Sequence, residues 1–207
     1  KGYTLYIIST HRLFMSNHKI EQFDGTTMRG HVTLTQYDGI RDHKTLLSLH
    51  EGKKKQPEGI VLVEKKNLIV KTGKMLMAHL LGNDPLAAPI RYIAFGSGAA
   101  ATNHIPDSDD FKLITEEFRE PVQYEYNDGA PHYSVTFTAA ALADDHVETE
   151  VISEIGLCVN PVQATPTANT LDLFSYITFP EIFFNANAPV SMGLVVDWEI
   201  VFEVIGN

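Results

Sequence analysis

The residues of this 207-residue chain that are able to do chemistry are scattered, and their clusters lack the spacing of a catalytic site. Acidic pairs stand at Asp109-Asp110 and Asp144-Asp145, and the second pair is followed by His146. Acid/base catalysis and metal binding need such groups to converge in a cleft, whereas adjacent side chains usually point apart. We therefore interpret Asp109 and Asp110, together with Asp107, as charges that complement the dipole at a helix N-terminus.

The ligand spacing predicts no metal centre. The acidic residues do not take the regular positions of an EF-hand calcium loop. No two histidines combine with a third ligand at a spacing known from zinc sites. The nine histidines are His11, His18, His31, His43, His50, His79, His104, His132 and His146. We expect neither a metal ion nor any other cofactor.

Two further motifs contain residues that could react, Gly96-Ser97-Gly98 and Cys158. Gly96-Ser97-Gly98 follows a buried strand, but it has neither the Rossmann spacing nor a Gly-Lys-Ser/Thr ending, and Ser97 lacks the rest of a nucleophile elbow. We predict a simple turn over residues 99–102, with no helix directly after the glycines. The single cysteine, Cys158, lies in an apolar strand-like run, where a thiol is a small apolar filler without a disulfide partner. The sequence thus predicts no catalytic, cofactor-binding or metal-binding residue, and a protein that is not an enzyme.

Composition indicates an ordinary globular protein and disfavours nucleic acid as its partner. Hydrophobic residues make up 44%, charged residues 20%, and the net charge is -10, whereas phosphate binding requires a surplus of Lys and Arg. The run Lys53-Lys54-Lys55 is interpreted as a solvated loop. No apolar run approaches the roughly 20 residues of a membrane span, and residues 3–8 are too short for a signal-peptide core. We therefore expect a cytosolic protein at synthesis that does not bind membranes.

A hairpin is predicted within residues 30–71. Val32 and Leu34 alternate with polar residues, and Asp38-Gly39 is a turn signal between two strands. Strand character resumes over residues 60–70, which predicts a third strand after a hydrophilic loop.

Two short helices are predicted between the strands. The first covers Lys74 to Leu81, with Thr72 as its N-cap and Gly82-Asn83 as its stop. The second covers Asp109 to Phe118, with Ser108 or Asp107 as its cap and with apolar residues at helical spacing.

The remaining segments predict strands. Residues 90–95 form a nearly continuous apolar run, which is typical of a strand covered on both faces. Residues 122–137 read as a hairpin, and further strands fit residues 151–159 and 173–179. In residues 194–204, apolar and acidic residues alternate as in a half-buried strand. The fold class predicted is mainly β, an antiparallel β-sandwich-like domain with two short inserted helices.

The chain is expected to divide into an N-terminal arm and hairpin, residues 1–59, and a core domain, residues 60–207. Residues 1–29 are interpreted as an arm that makes assembly contacts, or else as an extra strand or short helix on the core. The Pro/Thr-rich loop of residues 160–170 is a second candidate contact. Phe183-Phe184 lies between two prolines, and an exposed pair there would mark an interface.

Several segments follow one another in a distinctive order. They are NLIVKTGK at residues 67–74, IRYIAFGSG at 90–98, an acidic segment with Glu116 and Arg119, EIGL at 154–157, LFSYITF at 173–179 and LVVDWEI at 194–200. This order resembles a class of tailed-bacteriophage structural proteins, described as tail, baseplate or fibre-associated. Members carry an "NLVVNTG" start, an "IAxGTG" centre, an "EhGLF" strand and a terminal "WxIxF" strand. The resemblance covers residues 60 to 204, and Cys158 stands where an aromatic residue is common.

The resemblance implies a non-enzymatic component of a virion that is assembled in the host cytoplasm. Its partners would be copies of itself and other virion proteins, with a host-surface glycan as a further candidate. The family offers no active site that could be carried over to this chain. Alternatives are a capsid-decoration or head-fibre protein, or a receptor- or carbohydrate-binding module.

Overall fold

The computed structural model describes residues 26–52, 58–85, 87–129, 132–146, 150–161, 171–185 and 190–204. These residues are mainly β, as predicted. The strands are β1 (Thr26–Asp38), β2 (Ile60–Ile69), β3 (Tyr92–Gly96), β4 (Glu116–Pro121), β5 (Gln123–Asn127), β6 (His132–Leu142), β7 (Glu150–Cys158), β8 (Leu173–Phe184) and β9 (Met192–Val204). The helices are α1 (His43–His50), α2 (Lys71–Leu81) and α3 (Gly98–Thr102), with a 3-10 turn at Ala143–Asp145.

The strands form one antiparallel sheet that is nearly closed, in the order β4-β3-β7-β8-β2-β1-β9-β6-β5. The two outermost strands, β4 and β5, are consecutive in the chain and are separated only by Val122, whose N–H donates to the Arg91 carbonyl at 2.9 Å. The sheet therefore curls until its two ends come close together. This sandwich or barrel-like arrangement confirms the predicted class of fold.

β2 joins the two halves of the sheet because it changes partner along its length. Residues 60–67 pair with β1, whereas Leu68 and Ile69 pair with Tyr176 and Ser175 of β8. β1 lies in the middle of the sheet and pairs with both β2 and β9. Residues 26–50, which the sequence prediction assigns to the N-terminal segment, thus contribute β1 to this sheet and the helix α1 that packs against it.

The inner face of the sheet carries the alternating apolar residues that the sequence predicts. On β9, Val196, Trp198 and Ile200 are buried, while Asp197 and Glu199 on the opposite face are half-buried. The strand over residues 92–96 is covered on both faces, since its alternate residues belong to two different apolar clusters. The apolar interior is the dominant stabilising term of such a fold.

The predicted hairpin across Asp38-Gly39 is wrong, because helix α1 follows this turn. Gly39 has a φ of 78°, which suits a turn, and the Asp42 side chain then caps α1 by accepting from the Thr45 N–H at 2.8 Å. Leu46 and Leu49 bury one face of the helix against a second apolar cluster. The true partner of β1 in the first half of the chain is β2, beyond the helix.

The first predicted helix is confirmed, with a different start and cap. α2 begins at Lys71, and its N-cap is Val70, which has no side-chain cap bond. Thr72 Oγ1 donates instead to the Leu173 carbonyl at 2.5 Å and so ties the helix to β8. At the C-terminal end, Asn83 rather than Gly82 takes the left-handed conformation, with a φ of 55°.

The second predicted helix, Asp109 to Phe118, is wrong: the chain is irregular until β4 begins at Glu116. The N–H groups of Ile114 and Thr115 donate to the Glu154 carboxylate of β7, at 3.0 and 2.9 Å. An α-helix would require these groups to donate to carbonyls four residues back. A distant side chain has therefore replaced the helical bonds.

Candidate functional site

Glu154 is the centre of a buried polar network. It lies on β7 with no exposed surface, and its Oε1 accepts from the N–H groups of Gly98 (3.0 Å) and Thr115 (2.9 Å). Its Oε2 accepts from the Ile114 N–H at 3.0 Å and from the Tyr176 hydroxyl. Burial raises the pKa of Tyr176, and the bond to Glu154 raises it further. The carboxylate holds two connecting segments against the sheet, which gives the acid of the EIGL segment a structural role.

The simple turn predicted after Gly96-Ser97-Gly98 is wrong. Helix α3 begins directly at Gly98 instead. The N–H groups that a phosphate would need are already bonded: Gly98 to Glu154, and Ala100 to Ser153 Oγ at 3.1 Å. A Cβ at position 96 would lie 2.4 Å from the Thr115 carbonyl oxygen. This glycine permits close packing of two backbone segments.

Arg119 forms the second buried network. Its guanidinium donates to Glu116 (2.7 Å from Nε and 2.7 Å from Nη2) and to Asp172 (3.1 Å from Nη1 and 2.9 Å from Nη2). Nη1 also donates to the Asn160 carbonyl at 2.7 Å. Its side chain is only 3% exposed, so these bonds satisfy a charge that water does not reach. The acidic segment with Glu116 and Arg119 therefore fastens β4 to the start of β8.

Cys158 is buried at the end of β7, as predicted, and burial raises the pKa of its thiol. A thiol that stays protonated is a poor nucleophile.

The acidic pairs do not converge with a third ligand. Asp110 accepts from His104 Nε2 (2.9 Å) and from the Asp107 N–H (2.7 Å), which builds a turn rather than a helix cap. The dipole interpretation of these acids is therefore wrong, because the helix is absent. Asp145 is exposed and lies 3.4 Å from His43 Nε2. Within the described ranges, no group of three His, Cys, Asp or Glu residues is arranged to hold a metal ion.

A polar groove of about 410 Å³ lies on the outer face of β1, β9 and β6, next to α1. His50 Nδ1 is 2.9 Å from the Tyr37 hydroxyl, and Nε2 pairs with Asp197, which also accepts from Thr138 Oγ1 at 2.7 Å. Burial, and then the Asp197 charge, raise the pKa of Tyr37. Both ring nitrogens are engaged, so His50 fastens α1 to the sheet. Sequence reasoning missed this group because it missed α1.

An apolar cavity of about 620 Å³ opens where the two ends of the sheet approach each other. Its walls come from α2, from the chain before β3, and from β5, β6, β8 and β9. Tyr124 and Tyr126 stand in edge contact at its rim, with ring centroids 5.5 Å apart, and are 61% and 66% exposed. No motif predicts this cavity, because its residues come from six separate parts of the chain.

The Phe183-Phe184 pair lies in β8 and not in a loop. Phe183 is 62% exposed, whereas Phe184 is fully buried. The condition set for an interface, that both phenylalanines are exposed, is therefore not met, since adjacent residues of a strand point to opposite faces.

Glu120 on β4 should make stability depend on pH. Burial, and then the Asp145 charge, raise its pKa from 4.5 to about 7. The folded state thus favours the protonated acid, a contribution that is fully present below pH 4.5 and is lost as the pH rises through 7. We expect Glu120→Gln to stabilise the protein relative to wild type by about 1–2 kcal/mol more at pH 8 than at pH 4, after allowance for partial exposure.

Urea unfolding of both proteins across this range measures the difference. Glu181→Gln is the matched control, because Glu181 is also a strand glutamate but is exposed, on β8. A wild-type-to-variant difference that is the same at both pH values would contradict the prediction.

Comparisons of the chain with protein families, with curated proteins and with solved structures give no match. None of the helices in the described ranges is long and apolar enough to cross a membrane.

Proposed function

We propose that this protein is a structural component of a tailed-phage particle, associated with the tail, baseplate or fibres and present in multiple copies. The ordered segments in residues 60–204 support the proposal through their resemblance to that class. Two of them contribute the buried Glu154 and Arg119 networks, which hold connecting segments in place. Networks of this kind stabilise the fold, as a structural subunit would require.

The observation that carries the proposal is an apolar strand end at the surface. Ile60, Val61 and Leu62 are consecutive residues of β2 and are 58%, 55% and 36% exposed. Consecutive exposed apolar residues are costly in water unless another surface covers them. Three positions beyond Leu62, Lys65 pairs in register with Val32 of β1, and its Nζ donates to the Thr178 carbonyl of β8 at 2.9 Å. Lys65 is exposed on a stretch of β2 that does not pair with β8, and a lysine on an open strand edge disfavours pairing with another chain, so the contact is limited to the β2 start.

The exposed residues at the start of β2, Ile60 to Leu62, can be tested as the surface that contacts another subunit. We expect native mass spectrometry and negative-stain microscopy of the full chain to show a defined ring or other closed assembly. Ile60→Lys with Val61→Lys should weaken that assembly at least tenfold, because a contact of this size contributes about 1.4 kcal/mol or more. Ile105→Lys, at a single residue that is 80% exposed, is the control. A strictly monomeric protein that never co-purifies with tailed particles would overturn the proposal.

A carbohydrate-binding module is the second candidate, because exposed tyrosines rim the cavity. Tyr124 and Tyr126 offer the kind of aromatic surface on which a sugar ring can stack. Glycan-array binding that is lost in Tyr124→Ala with Tyr126→Ala, but retained in Phe183→Ala, would favour this function.

A further inference from the structure

The apolar cavity has preformed walls. Phe137, Phe174 and Ile200 reach it from three strands and are 8%, 3% and 2% exposed, so they are held by the same core that stabilises the sheet. A cavity of about 620 Å³ lies within the range of small-molecule sites, which are mostly apolar with a few polar groups. Its lining therefore suits an apolar group that enters between the two ends of the sheet.

One charged residue lies in this lining. Arg91 is exposed and makes no ion pair with any residue in the described ranges. The whole chain carries a net charge of -10, so an anion would be repelled from most of its surface. The Arg91 guanidinium places a positive charge at the opening of the cavity, where an anion would be attracted. The rim hydroxyls of Tyr124 and Tyr126 add hydrogen-bonding groups beside it.

We propose that this cavity binds a small amphiphile with a single negative charge, of the fatty-acid type. The acyl chain lies among the aromatic and aliphatic walls, and the carboxylate pairs with Arg91. The polar groove near His50 suits such a ligand poorly, because Glu51, Asp197 and Glu199 line it. This site goes beyond the proposed structural role and does not depend on it.

The charge requirement is tested with two matched ligands, decanoate and the uncharged decanol. Titration calorimetry of the full chain should show saturable 1:1 binding, with decanoate the tighter ligand. Arg91→Gln should weaken decanoate about fivefold and leave decanol unchanged, because the lost pair is partly exposed. Arg41→Gln removes another exposed arginine outside the cavity and should change neither affinity.

The location is tested with two adjacent residues of α2. Leu80 lines the cavity and Leu81 does not, and they are 41% and 84% exposed. Leu80→Trp should fill the space and weaken both ligands about tenfold or more, whereas Leu81→Trp should leave binding intact. Circular dichroism of both variants checks that the fold is retained.

Three results would overturn the proposal. The first is that the full chain does not bind decanoate, which is the result expected if another part of the chain or a partner protein occupies the cavity. The second is that the Leu80→Trp and Leu81→Trp variants bind decanoate equally well, which would place the ligand elsewhere. The third is that wild type binds decanol as tightly as decanoate, which would remove the role of Arg91.

Discussion

Replacing Arg119 by methionine is expected to lower the free energy of unfolding by about 3–5 kcal/mol. The change leaves Glu116 and Asp172 facing each other without the cation that compensates both charges, and their side chains are only 10% and 7% exposed. The guanidinium uses Nε, Nη1 and Nη2 in these bonds, so lysine cannot reproduce the geometry. Urea denaturation at pH 7 measures the loss.

The same site provides a control that separates charge from packing. Combining Arg119→Met with Glu116→Gln and Asp172→Asn removes the uncompensated charges, so part of the lost stability should return. A loss below about 1 kcal/mol in the single variant, the size typical of surface pairs, would show that water reaches this network.

Replacing Glu154 by glutamine is expected to cost about 2–4 kcal/mol, although the two side chains have nearly the same shape. The carboxylate accepts four hydrogen bonds, three from backbone N–H groups and one from Tyr176. An amide presents N–H groups where two of those donors now point, so buried donors would lose their acceptor. Hydrogen exchange at Gly98, Ile114 and Thr115 should become faster as these segments loosen.

Tyr176→Phe measures how much of this stability depends on a single hydrogen bond to Glu154. It removes one of the four bonds and should cost about 1 kcal/mol, less than Glu154→Gln. If the two variants lost equal stability, the backbone donors would contribute little, and the role assigned to Glu154 would be wrong.

The sequence predicts those elements whose pattern is set by one buried face. The alternation in β9 follows from a sheet with a core on one side and is confirmed. The predicted pairing of β5 with β6 is also confirmed, although every residue of β5 is exposed. α1 was not predicted because its apolar pattern consists of few residues, of which Leu46 and Leu49 are buried. These two leucines form a helical face only in contact with a cluster built from distant strands.

The errors and the cavity have a common physical cause. The helix predicted from Asp109 fails because Glu154, far along the chain, takes the N–H groups that a helix would use. The cavity likewise exists only because the sheet curls and brings α2 and Arg91 next to β5 and β9. Local patterns contain no record of such long-range neighbours, so neither feature was predictable from spacing.

The pairing of β1 has a consequence for synthesis on the ribosome. Every residue of β1 has a partner in β9. β1 is therefore synthesised early but can complete its pairing only after β9, the last of the described strands, has been synthesised. Until β9 emerges, β1 can pair only with β2, and its other edge is open to unrelated chains. Sheets that depend on such distant pairings form slowly and are prone to aggregation on the way. Production of this protein should therefore benefit from slow translation at low temperature.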